Sequence, residues 1–142
     1  MDNHSKEIRS YNMSKIRSTG TKPEEIVCKY LFSKGLRYRK NVKVLPGKPD
    51  IVLPKYKTVV FVNGCFWHGH NGCKCFVMPK SNAEYWKNKI TKNITRDKAT
   101  HESLVALDWN VLVVWECELK KDKQEHTLEL LYYEIIKLLR KN

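Results

Sequence analysis

Between residues 21 and 35 the apolar positions recur at helical spacing. Ile26, Val27, Tyr30 and Leu31 form one stripe, Thr21 stands where a cap is needed, Pro23 and two acids occupy the first turn, and Gly35 ends the run. The period then changes. The stretches "LRYRKNV", "DIVL" and "TVVFV" are rich in β-branched residues and predict three strands, with a hairpin where "PKYK" parts the second from the third. With the turn centred between Lys55 and Tyr56, Asp50 falls opposite Phe61 or Val62 and emerges beside Asn63 at one end. Helical spacing returns from about Ala83 to Ala106, where Trp86, Ile90, Ile94, His101 and Leu104 share a face beside a more basic one. The run "NVLVVW" (110–115) reads as a buried strand, and the connection before it is long enough for a crossover that lays it parallel to its neighbour. Leu128, Leu131, Ile135 and Leu138 mark a closing amphipathic helix. The pattern predicts one α/β domain over residues 1–142, with a mixed central β-sheet flanked by helices and a ligand-rich loop before the long helix.

Length agrees with this count, because 142 residues at 42% apolar content suit one core and leave no room for two. Charge adds a partner. Twenty-seven Lys and Arg against 15 Asp and Glu leave +12, more than solubility requires, and nucleic acid is the first expectation. Membrane surfaces attract cations too, but no apolar run approaches the ~20 residues of a spanning helix and the polar start is no signal peptide, so a cytoplasmic protein is expected. Residues 1–20 mix Lys6, Arg9, Lys15 and Arg17 with Ile8, Tyr11, Met13 and Ile16, and read as a basic arm with helical tendency.

Five cysteines without an export signal argue against a disulfide framework. Cys65, Cys73 and Cys75 crowd into "NGCFWHGHNGCKC", which favours a metal. A structural zinc takes four thiolate or imidazole ligands in a tetrahedron. Cys65, His70 and Cys73 can supply three from one loop that Gly64, Gly69 and Gly72 allow to turn tightly, and Cys117, just past the last strand, can supply the fourth. The spacing matches no common finger pattern; buried or free thiols are the alternative, and Cys75 can stand in for Cys73.

Asp50, closing "GKPD", is either a residue tolerated in a turn or a carboxylate for a hard cation such as Mg²⁺. The hairpin favours the second by placing it where the glycine-rich loop begins. His68 is not needed for the tetrahedron and suits a general base, although a packing histidine is the plainer reading. Phe66 and Trp67 either cap the core above the loop or enter a base stack as wedges. Tyr85 and Trp86 are ambiguous in the same way.

Taken together, "PGKPD" (46–50), "VVFVNGCFWHGH" (59–70), "EYWKNKITKNITRD" (84–97) and "LDWNVLVVWECEL" (107–119), preceded by "SYNMSKIRSTGTKPE" (10–24), resemble the very short patch repair (Vsr) DNA mismatch endonucleases. The resemblance implies a fold like that of the PD-(D/E)XK nucleases, Mg²⁺-dependent nicking of double-stranded DNA 5′ to the mispaired T of a T:G mismatch, and a structural Zn²⁺. Asp50 then matches the Mg²⁺ ligand, Val62 the residue that offers its backbone carbonyl to the same ion, His68 the catalytic base and Glu24 an assisting acid. Cys65, His70, Cys73 and Cys117 match the zinc ligands, and Phe66, Trp67 and Trp86 the aromatics that intercalate beside the mismatch. Met13, Lys15 and Arg17 of the arm are further candidates for DNA contact. Asn63 departs from the family pattern, which has histidine there; asparagine can orient water but cannot exchange a proton. The loop is also one residue longer than the pattern, which leaves the choice between Cys73 and Cys75 open. A monomer in the bacterial cytoplasm, associated with the nucleoid and linked in function to a DNA cytosine methyltransferase, is expected. A zinc-containing DNA-binding module without catalysis, or a nicking or restriction-type nuclease that ignores mismatches, are the rival readings.

Overall fold

Thr21 accepts the backbone N–H of Glu24 at 3.4 Å and opens helix α1 (Lys22–Ser33). The helix stops where Gly35 takes φ +80°, a left-handed conformation that suits glycine, and the Leu36 N–H reaches back to the Leu31 carbonyl at 3.1 Å. The computed structural model describes residues 21–74 and 76–141, so the arm with Met13, Lys15 and Arg17, and also Cys75, lie outside the described residues.

Four strands follow: β1 (Arg39–Lys40), β2 (Ile51–Leu53), β3 (Thr58–Asn63) and, after helix α2 (Ala83–Ala106), β4 (Asn110–Trp115). A single helical turn at Glu116–Leu119 leads to the closing helix α3 (Gln124–Lys141). The sheet order is β1-β2-β3-β4, with the first two pairings antiparallel and the last parallel, which is the mixed sheet that the pattern predicts. Leu53 pairs with Thr58 across a 3-10 turn at Pro54–Tyr56, and Lys57 closes it at φ +50°. That register puts Asp50 one step beyond the Ile51–Val60 pair, opposite Phe61.

The first strand is far shorter than expected. Only Arg39 and Lys40 pair, because Asn41 turns to φ +51° and both paired side chains are exposed, so no apolar face extends the ladder. The helix–strand crossover is as expected: β4 runs parallel to β3 from Thr58–Asn110 to Asn63–Trp115.

Side chains of the central strands alternate between two apolar layers. Ile51, Leu53, Val60 and Val114 pack with Val27 and Leu31 of α1 and Leu128, Leu131 and Ile135 of α3. Val52, Val59 and Phe61 face the other way, with Leu104 of α2. Strands covered on both faces read as unbroken apolar runs, which is why "TVVFV" carries no polar position before Asn63. Antiparallel β2 begins, and parallel β3 and β4 end, at the same edge of the sandwich. Asp50, Asn63 and Cys117 are therefore delivered to one place by the topology, and ligand sites of α/β sheets lie at such strand ends. Among the described residues no helix is long and apolar enough to cross a membrane.

Candidate active site and metal centre

Asp50 does not sit idle in its turn. Its Oδ2 accepts the backbone N–H of Val62 at 2.7 Å, across the mouth of the hairpin. In an extended strand the N–H and C=O of one residue point to the same side, so the Val62 carbonyl faces the same end of β2. Burial pushes the Asp50 carboxyl up to about 6; the charge of Glu24 adds to the rise, and the Val62 N–H, His68 and Lys48 work against it. Glu24 comes from the first turn of α1 and is buried. Two acids drawn from water beside one another are unfavourable to each other, and a bound cation removes the conflict.

His68 enters from the loop, and its Nδ1 lies 2.6 Å from Asp97 Oδ2 on α2. With Nδ1 occupied, Nε2 is the nitrogen left for the cleft. Asp50, Val62, Asn63, His68 and Asp97 line one open cleft of about 380 Å³, together with Lys48, Arg96 and Thr100. Asn63 is buried, with its amide at this cleft. Four of the expected residues, Asp50, Val62, Asn63 and His68, thus line one cleft, and Glu24 lies near enough to act on Asp50.

Sequence reading missed Asp97. The signal was present: Trp86, Ile90, Asn93, Asp97, His101 and Leu104 follow one face of α2, and an acid on that face demands a partner. Of the face it did name, Ile94 is 45% exposed and lies over the loop, whereas Ile90 and Leu104 are buried.

The loop after β3 is held by its own backbone and by α2. His68 N–H bonds to the Gly64 carbonyl, Gly69 N–H to Phe66 and His70 N–H to Cys65, winding residues 64–70 into consecutive turns. Gly69 has φ +59°, and a Cβ there would lie 2.6 Å from Ile94 Cδ1, so only glycine lets the loop settle on the helix. Asn93 Nδ2 donates to the Trp67 carbonyl at 2.9 Å, and the Cys65 N–H donates to Glu116 Oε1 at 3.0 Å.

These turns gather Cys65, His70, Cys73 and Cys117, whose ligand atoms all lie within 4.8 Å of one another. Cys117 Sγ is 3.5 Å from His70 Nδ1, and the His70 ring is stacked on Trp115 at 4.0 Å. Burial pushes the Cys65 and Cys117 thiols up, which favours their protonated forms while the cluster holds no cation. Three sulfurs and an imidazole form a soft, closed set that fits a tetrahedral ion, while the carboxylates and carbonyl of the neighbouring cleft fit a hard one. Among the described residues Cys73 completes the set.

Beside the cluster, Phe66 makes edge-to-face contacts with Trp67 at 5.2 Å and Trp86 at 5.6 Å, and Trp67 meets Trp86 at 5.8 Å. Phe76 and Tyr85 extend the group. None of these five rings is fully buried, so they form an aromatic ridge rather than a cap on the core.

Fold and site together define an α/β nuclease. A family model for DNA mismatch endonuclease Vsr matches residues 1–74, and the chain belongs to this family of DNA mismatch endonucleases. It is 42% identical over 119 residues to the DNA mismatch endonuclease Vsr of Escherichia coli, covering 84% of this chain and 76% of the relative. It is 57% identical over 112 residues to the type II nicking enzyme V.NmeAIP of Neisseria meningitidis, covering 79% of each, and 49% identical over 118 residues to the type II nicking enzyme V.XorIIP of Xanthomonas oryzae, covering 83% and 86%.

The raised Asp50 carboxyl has a measurable consequence. Folding favours its protonated form, so its contribution to stability is fully present below the ordinary carboxylate range and is lost as pH rises through about 6. Asp50→Asn is therefore expected to stabilise the protein by about 2 to 3 kcal/mol at pH 8 and by almost nothing at pH 4. Urea unfolding at both pH values, without added divalent cation at this cleft, checks it; equal effects at the two would refute the burial argument.

Proposed function

We propose that this chain is a strand-specific endonuclease that nicks double-stranded DNA 5′ to the mispaired T of a T:G pair, the mismatch left by deamination of 5-methylcytosine. The observation that carries the reading is a single cleft that holds the buried Asp50 carboxylate and a histidine oriented by Asp97. Mg²⁺ held by Asp50 and the Val62 carbonyl, with Glu24 assisting, would offset the charge that builds on the phosphate. His68 takes the proton of the attacking water through Nε2, and Asp97 holds the ring and steadies its charged form. Asn63 orients that water without exchanging a proton.

Zn²⁺ on Cys65, His70, Cys73 and Cys117 would anchor the loop to the end of β4. The aromatic ridge supports recognition: Phe66, Trp67 and Trp86 enter the stack where a wobble pair makes unstacking cheaper. The basic arm, with Met13, Lys15 and Arg17, and the exposed lysines of α2 hold the backbone by a salt-sensitive attraction. The enzyme acts as a cytoplasmic, nucleoid-associated monomer and serves the site of a cytosine methyltransferase.

The test is a nicking assay with Mg²⁺ on end-labelled duplexes in T:G and T:A versions across many flanking sequences. A nick 5′ to T in mismatched duplexes alone is expected. The names of two relatives favour a second reading, a type II nicking enzyme, and equal cleavage of T:A duplexes would establish it in place of the first.

A further inference from the structure

Asp50 and Asp97 line the cleft, and the buried Glu24 lies close enough behind Asp50 to raise its carboxyl, so three acids bear on it. With all three ionised and one divalent cation bound, these acids and the ion together still carry one negative charge, which would repel a phosphodiester. Something else must hold the substrate. Two side chains lining the cleft can do so: Lys48, from the turn before β2, and Arg96, from α2. Both are exposed, and among the described residues Arg96 makes no ion pair, although Asp97 beside it is committed to His68.

The backbone brings the two elements that carry these cations into contact. Gly47 has φ +73°, and a Cβ on it would lie 2.1 Å from Thr100 Cγ2, one helical turn beyond Arg96, so the turn is seated directly on α2. Lys48 follows at φ +49°, its N–H bonded to the Leu45 carbonyl at 3.1 Å, and the buried Pro49 fixes the chain beyond it. A lysine in a left-handed turn is uncommon and disfavoured relative to glycine, and here the turn keeps its ammonium close enough to act on Asp50. The other exposed cations of α2, Lys87, Lys89, Lys92 and Lys98, do not line the cleft.

We propose that Lys48 and Arg96 clamp the phosphate that is cut, one cation from each of two elements that meet at the cleft. The proposal rests on the nuclease reading and deepens it. Arg96 presents a planar fork that can engage two phosphate oxygens, and Lys48 a compact charge that needs no fixed direction. With both in place the metal-loaded cleft changes from repelling to attracting the phosphodiester, and their donors are aimed where charge grows as the bond to the leaving oxygen breaks.

The experiment compares wild type, Lys48→Ala, Arg96→Ala and Arg96→Lys in two measurements on one duplex. In single-turnover nicking, each alanine variant is expected to be slower by about 10- to 100-fold, with Arg96→Lys between. On a duplex carrying an uncharged methylphosphonate in place of the scissile phosphate, where that contact has already been lost, the binding affinities of the variants without Mg²⁺ should differ from wild type by less than about threefold. The second measurement is binding without Mg²⁺ across a salt series, where each alanine change should flatten the slope of log K against log salt by about 0.9. Wild-type rates and slopes in both variants would overturn the clamp. A flatter slope with an unchanged rate would overturn its placement at the reacting phosphate. Were wild type itself to cut nothing, the nuclease reading would fail, and the salt slopes alone would decide whether these two side chains touch the backbone.

Discussion

Replacing His68 by alanine is expected to lower the single-turnover nicking rate by about 10³- to 10⁴-fold, the upper part of what proton transfer contributes, while the affinity for the mismatched duplex changes little. The separation follows from geometry. His68 lies among cleft residues rather than on the aromatic ridge, and its Nδ1 is engaged by Asp97 at 2.6 Å, so under the proposed mechanism its loss removes chemistry and leaves the ridge in place. Asp50→Ala should act alike, because Asp50 meets the Val62 backbone inside the cleft. Asp97→Asn is the more informative change. It keeps the shape and one hydrogen bond but withdraws the charge that steadies an imidazolium, and should reduce the rate by about 10²-fold or more. If Asp97 merely braced the loop, the asparagine variant would cut at the wild-type rate. A His68→Ala enzyme that cuts at the wild-type rate would remove His68 from the mechanism altogether.

The parts of this site that were legible in the sequence are those that local rules deliver. Asp50 could be placed against β3 because a tight hairpin leaves almost no freedom in register, and Cys117 could be placed beside the loop because a parallel strand after a crossover ends where its neighbour ends. Cys65, His70 and Cys73 lie close enough in sequence to share one ion. Asp97 was not legible as the partner of His68, since 29 positions separate them and helical periodicity gives a face but not what that face meets. Lys48 and Arg96 were hidden for the same reason: each looks like an ordinary surface cation until the contact of Gly47 with Thr100 brings their two elements together at one cleft. The short β1 shows the opposite failure. Its residues have the right propensity, but strand length depends on having something to cover, and Arg39 and Lys40 lie at an edge. Family resemblance supplied roles to residues such as Val62, whose contribution is a backbone atom that no side-chain pattern could announce.

Removing the metal from the Cys65–His70–Cys73–Cys117 set, by chelation or by Cys117→Ser, is expected to lower the melting temperature by at least about 10 °C, since several kcal/mol are at stake and a domain of this size shifts by roughly 2 to 4 °C for each. The damage should start locally. The described residues of 64–82 contain no strand or α-helix, and Cys65 alone among them is buried. The loop is tied down by the ligand cluster, by Glu116 at the Cys65 N–H and by Asn93 at the Trp67 carbonyl. Without the ion, Cys65 and Cys117 become protonated thiols, because burial has raised both, and the cluster loses the charge that drew it together. Because His68, Phe66 and Trp67 ride on that same loop, nicking and mismatch preference should be lost together, whereas Asp97→Asn should take only the first. Amide exchange would separate the events: protection is expected to vanish across 64–82 while β3 and β4, whose register is set by the apolar layers on both faces, remain protected. A Cys117→Ser protein with unchanged zinc content and unchanged melting temperature would show that the distant cysteine is not a ligand. The loop would then have to be held by its contacts with α2 alone.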